Sequence, residues 1–116
     1  MFVQSLETMP VTFAERRRAT RRRPAHGTVC RLTDDDGDDL GCGLVWNLST
    51  TGVSMLLNLR VEPGTQLFAE LANAAGDVVR VGLSVIHLSR LRTGDFALGG
   101  QFSRPLDESE LWPFVI

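Results

Sequence analysis

From residue 27 onward, apolar and polar side chains alternate in short runs, and clusters of Gly, Pro, Asn and Asp separate the runs. Side chains on one face of a strand recur at every second position, so each run reads as a strand with one buried face. The pattern predicts strands over residues 27–33, 40–48, 53–59, 65–72, 78–88 and 95–103. Turns fall at the aspartate run with Gly37, at Gly52, at Pro63–Gly64, at 73–77 and at Arg92–Thr93–Gly94. Six short strands with no helix between them predict an all-β fold, a six-stranded antiparallel barrel or sandwich.

The alternation also assigns faces. In the second strand Leu40, Cys42, Leu44, Trp46 and Leu48 share one parity, which is read as the core face. Asn47 and Ser49 then share the opposite face. Trp46 is expected in the core, as are Cys30 and Cys42, placed opposite each other in a hairpin centred on Asp36. In the third strand Val53, Met55, Leu57 and Leu59 point inward, in the fifth Val79, Val81, Leu83 and Val85, and in the sixth Phe96, Leu98 and Phe102.

The ends read differently. Residues 1–14 show no clean period and are expected to form an arm. The tail, 105–116, starts like a short helix. Asp107 is a good N-cap with Glu110 three residues on, as in a capping box, and Pro113 stops the helix within about two turns. The organisation expected is an arm over 1–14, a barrel domain with an arginine loop over 15–104, and a helical tail.

Composition narrows the function. The 116 residues carry a net charge of −2, with no apolar run near the length of a membrane span and no secretory pattern at the start, so a cytoplasmic location without a membrane span is expected. Two cysteines and two well-separated histidines make neither a disulfide framework nor a zinc site, and no cofactor or metal is called for. The aspartates at 34–39 read as a solvated turn, with calcium as the alternative. His87 reads as a surface or half-buried residue. No Ser/His/Asp or Cys/His constellation assembles, so the chain is not read as an enzyme.

The charge is nonetheless concentrated. Six of the twelve basic residues lie in Arg16–Arg17–Arg18–Ala19–Thr20–Arg21–Arg22–Arg23, and the chain has no lysine. A guanidinium makes paired hydrogen bonds to phosphate or to a guanine edge and stacks on flat rings, which a lysine does not. Pro24 biases Arg23 toward an extended backbone, so 15–26 reads as a loop. About 25 residues later stands Asn47–Leu48–Ser49–Thr50–Thr51–Gly52. Asn47 offers a donor and an acceptor, Ser49 a hydroxyl, and Gly52 either close approach of a ligand to the backbone or a positive φ. Taken alone, the same residues are ordinary for a turn.

Arg-x-x-x-Arg before a first strand and Asn-x-Ser-x-x-Gly after a second resemble the PilZ domain, a family of bacterial receptors for cyclic di-GMP. The resemblance covers roughly residues 15–104, and Gly99–Gly100–Gln101–Phe102 resembles the end of the family's last strand. It implies a PilZ-like barrel binding cyclic di-GMP through Asn47, Ser49, Gly52 and one arginine pair. The pair is Arg18/Arg22 by its distance from Pro24, or Arg17/Arg21 by the residues preceding it. The function implied is a noncatalytic receptor, monomeric or homodimeric, whose signal is read by a separate protein partner. Two other readings stay open: a protein-interaction adaptor of the same fold that binds no nucleotide, with the tail Leu111–Trp112–Pro113–Phe114–Val115–Ile116 as its contact, and an RNA- or DNA-binding barrel. The acidic net charge and the lack of tyrosine stand against the last.

Overall fold

The computed structural model describes residues 21–25 and 27–116. The arm over 1–14 and the first half of the arginine stretch, Arg16, Arg17 and Arg18 included, lie outside the described residues. Six strands follow in order: β1 (Val29–Thr33), β2 (Asp39–Leu48), β3 (Gly52–Leu57), β4 (Gln66–Ala72), β5 (Val78–Arg90) and β6 (Phe96–Phe102). A four-residue helix, α1 (Glu108–Leu111), and a 3-10 turn (Trp112–Phe114) end the chain.

The strands close an antiparallel barrel in the order β1-β2-β3-β6-β5-β4, with β4 pairing back onto β1. The turns form where the side chains can build them. The Asp34 carboxylate accepts the amides of Asp36 and Asp38 at 3.0 and 2.9 Å, and Gly37 takes the positive φ of 85° that the turn demands. Asn73 repeats the device, accepting from Ala75 and Asp77 at 3.1 and 2.9 Å, with Gly76 at φ 91°.

The core is aliphatic. Leu32, Leu48, Met55, Leu71, Leu83 and Leu98 are each at most 2% exposed. The faces read for β3, β5 and β6 hold for Val53, Met55, Leu57, Val81, Leu83, Val85, Leu98 and Phe102, which are buried, with Leu59 and Val79 packed against them; Phe96, read as inward, is only half-buried at the start of β6.

The face read for β2 is wrong over most of its length. Leu40, Cys42, Leu44 and Trp46 are exposed, Leu44 at 65% and Trp46 at 42%, while Gly43, Val45 and Leu48 are buried. Two causes account for it. A bulge between Val45 and Asn47 inserts Trp46 as an extra residue and shifts the parity, so that Val45 and Leu48 both face inward. The inward position 43 is a glycine because Met55 fills its space: a Cβ there would meet the Met55 sulfur at 2.6 Å. The cysteines separate for the same reason. Cys30 pairs with Gly43 and is fully buried, whereas Cys42 pairs with Arg31 and is exposed. Burial pushes the Cys30 thiol up to about 12, which leaves it an inert core group.

β5 carries a second bulge of the same kind between Val85 and His87, with Ile86 59% exposed.

The tail packs rather than trailing. Leu106, Leu111 and Phe114 belong to the core cluster, and the Glu110 carboxylate accepts the Asp107 amide at 2.9 Å, as the capping pattern predicts. Asn73 Nδ2 donates to the Pro113 carbonyl at 2.8 Å and fastens the tail to the β4–β5 turn. No helix among the described residues is long and apolar enough to cross a membrane.

Candidate functional site

The candidate site lies where the end of the arginine stretch meets the end of β2. Arg22 forms an isolated bridge with Leu48: its amide donates to the Leu48 carbonyl at 2.8 Å, and the Leu48 amide returns the bond at 3.0 Å. Leu48 stands between Asn47 and Ser49, so two backbone bonds fix Arg22 beside both. Three further backbone contacts hold the stretch against the tail. Pro24 bridges Val115, the Ala25 amide donates to the Phe114 carbonyl at 2.8 Å, and the Ile116 amide to the Arg23 carbonyl at 3.0 Å.

The Arg22 guanidinium is engaged too. Its Nη2 donates to Glu108 Oε1 at 2.9 Å, with the two side chains 30% and 58% exposed. Arg22, Trp112, Val115 and Ile116 line an open depression of about 330 Å³. Arg21 and Arg23 are exposed. Of the expected arginine pairs, Arg22 of one and Arg21 of the other are therefore placed at the site. Their companions Arg18 and Arg17 lie outside the described residues.

Asn47 is half-buried at the bulge, opposite Ser54 of β3. Ser49, read as sharing the outward face with Asn47, is instead buried at 6% exposed and turned onto its own loop: Oγ accepts the amides of Thr51 and Gly52, both at 3.2 Å, and lies 3.2 Å from Thr51 Oγ1. A serine bonded to amides two and three residues on makes a serine turn, here the one joining β2 to β3. Gly52 does not take a positive φ, contrary to one of its two expected uses. What approaches it closely is the neighbouring strand: a Cβ at position 52 would lie 2.5 Å from the Gly100 carbonyl oxygen. The motif thus builds the turn as well as presenting side chains.

Two features went unread in the sequence, while His87 lies at the surface as read. Glu108 as the partner of Arg22 is 86 residues away and carries no local signal. The outward position of Trp46 was hidden because the apolar parity of β2 pointed the other way. His87 is exposed, its Nε2 2.8 Å from Ser89 Oγ. It stands opposite Gly99, on the same outer wall as Asn47.

The aspartate turn brings carboxylate oxygens of Asp34, Asp36 and Asp38 within 4.8 Å of one another, with Asp34 bonded to the amides of the turn itself.

No protein-family model and no curated protein matches the sequence. Solved structures do. A structure described as the PilZ domain with c-di-GMP of YcgR from Escherichia coli superposes with a TM-score of 0.59 at 19% identity, over 76% of this chain and 78% of that one. A structure of YcgR from Escherichia coli in complex with c-di-GMP gives 0.64 at 22% identity, over 84% of this chain and 42% of that one. The K. pneumonia MrkH–c-di-GMP complex gives 0.61 at 19% identity, over 75% and 44%. The chain spans less than half the length of these two longer chains. Barrel closure, strand order and these superpositions agree on one architecture, and the chain has the fold of the PilZ domain.

Proposed function

We propose that this protein is a noncatalytic receptor for cyclic di-GMP. The observation that carries the reading is the double backbone bond between Arg22 and Leu48, which sets Arg22, in the described end of the arginine stretch, beside Asn47 and Ser49. Sequence spacing alone left the two motifs about 25 residues apart. In support, structures of the same fold were solved with c-di-GMP bound.

The roles follow from side-chain chemistry. The arginines of the stretch, by the pair Arg18/Arg22 or Arg17/Arg21, clamp phosphate oxygens and the O6/N7 edge of guanine, the strongest base contact a side chain makes. Asn47 supplies a donor and an acceptor from the barrel wall. Ser49 and Gly52 hold the turn that presents it. No chemical step is required of the site. The output passes to a separate protein partner.

The adaptor reading keeps one observation in its favour. The tail buries Leu111 and Phe114 but leaves Trp112 70% and Ile116 81% exposed, an apolar pair that a partner protein covers on this reading.

A melt with and without ligand separates the two. A ligand that binds only the folded state raises the thermal midpoint. The receptor reading expects a rise with cyclic di-GMP and little with GTP or short RNA. An unchanged midpoint with saturating cyclic di-GMP favours the adaptor.

A further inference from the structure

On the outer wall of the barrel, four strands align one residue each in a single row. Asn47 of β2 pairs with Ser54 of β3, Ser54 with Gly99 of β6, and Gly99 with His87 of β5. With strands about 4.8 Å apart, the row is about 14 Å long. Its two ends are built alike. The bulge in β2 pushes out Trp46 just before Asn47, and the bulge in β5 pushes out Ile86 just before His87. These are two of the large apolar residues the fold leaves in water, 42% and 59% exposed.

Gly99, in the middle of the row, has no structural reason to be glycine. Its φ is not positive. A Cβ added there would meet nothing nearer than His87 Cβ at 3.8 Å, an ordinary contact. The other strand glycines differ. At Gly43, Gly52, Gly82 and Gly100 a Cβ would lie 2.5–2.7 Å from a neighbouring atom, and Gly41 has φ 157° with Leu59 at 3.3 Å. Gly99 is the strand glycine whose missing side chain no other described residue occupies. It leaves a shallow trough, polar along its floor and apolar at both ends.

We infer that this trough extends the proposed dinucleotide site across the barrel wall and seats one guanine base, with Trp46 stacking on its face and His87 bonding its edge. The inference rests on the receptor reading above and goes beyond its motif residues. A flat base needs an open floor, an aromatic face to stack on and polar groups at its rim; Gly99 opens the floor beside the small Ser54, Trp46 offers the face, and Asn47 and His87 the polar groups. Ser89, 2.8 Å from His87 Nε2, fixes the ring so that Nδ1 is the atom offered to the base.

The test fills the trough without disturbing the barrel. Gly99→Leu puts a side chain into open space, so its ligand-free melt should match wild type, while its affinity for cyclic di-GMP should fall about tenfold or more. Gly99→Ala gives a smaller loss and stands in should the leucine not fold. Trp46→Ala should weaken binding by about tenfold, with Trp46→Phe restoring most of it, and His87→Ala should weaken it several-fold. Wild-type affinity in Gly99→Leu and Trp46→Ala overturns the trough and leaves the receptor reading standing. Absence of cyclic di-GMP binding by the folded wild-type protein overturns both.

Discussion

Arg22 Nη2 lies 2.9 Å from Glu108 Oε1, so the arginine bridged to Leu48 is already spoken for by a carboxylate of α1. Both side chains are partly exposed, and such a pair is worth about 0.5–1 kcal/mol. A phosphate that recruits Arg22 has to share it with Glu108 or displace it. Glu108→Gln should therefore tighten cyclic di-GMP binding by about two- to fivefold, with the gain shrinking as salt is raised. Calorimetry on the two proteins at low and moderate ionic strength checks it, and an affinity loss in the variant would show that Glu108 helps to present Arg22.

Ser49 and Asn47 should separate stability from recognition. Ser49→Ala removes the acceptor of the Thr51 and Gly52 amides and should lower stability by about 1–2 kcal/mol. Asn47→Ala should change the ligand-free melt by no more than about 0.5 kcal/mol yet reduce the midpoint rise that cyclic di-GMP produces. An Asn47→Ala protein that melts far below wild type without ligand would make Asn47 a turn residue.

The two kinds of large aromatic should respond oppositely to truncation. Phe114 is fully buried although only Val115 and Ile116 follow it in the sequence, and Phe114→Ala should cost about 3–5 kcal/mol. Trp46, 42% exposed on the outer wall, should cost about 1 kcal/mol or less on truncation to Ala. Denaturant midpoints of the two variants give the comparison directly.

Strands β3 and β6, and β5 as far as Val85, were legible because their apolar parity matches the buried face without interruption. β2 was not. Its more apolar parity, Leu40, Cys42, Leu44 and Trp46, faces outward, and only the bulge at Trp46 returns Leu48 to the core. A bulge is one extra residue in one strand, and its cause lies in pairing with β3, which a local pattern does not record. The tail was legible at its start, where Asp107 and Glu110 cap α1, but not in its docking on the arginine stretch, which depends on contacts such as Ala25 to Phe114 across 89 residues. The motif residues were legible as types. That Ser49 spends its acceptor capacity on its own turn, and that Glu108 faces Arg22, are tertiary facts.

The tail has a pH signature. Hydrogen bonds from Arg104, then the Asp107 amide, hold the Glu110 carboxyl at about 2, below its ordinary 4.5. A depressed folded value means that Glu110 contributes stability above pH 4.5, and the contribution is lost as pH falls through about 2. The Asp107 amide resonance should keep its hydrogen-bonded position down to about pH 3 and move below it. Glu110→Gln should abolish that titration, and an amide that moves near pH 4.5 would mean that the Arg104 contact is not held in solution.

The most direct measurement is a calorimetric titration of the folded protein with cyclic di-GMP, set beside GTP and an unrelated polyanion, and repeated on Arg22→Ala. Micromolar or tighter binding of cyclic di-GMP is expected, with GTP weak, the polyanion indifferent, and Arg22→Ala weaker by about five- to a hundredfold. No heat with cyclic di-GMP, or equal binding of the unrelated polyanion, would contradict the receptor.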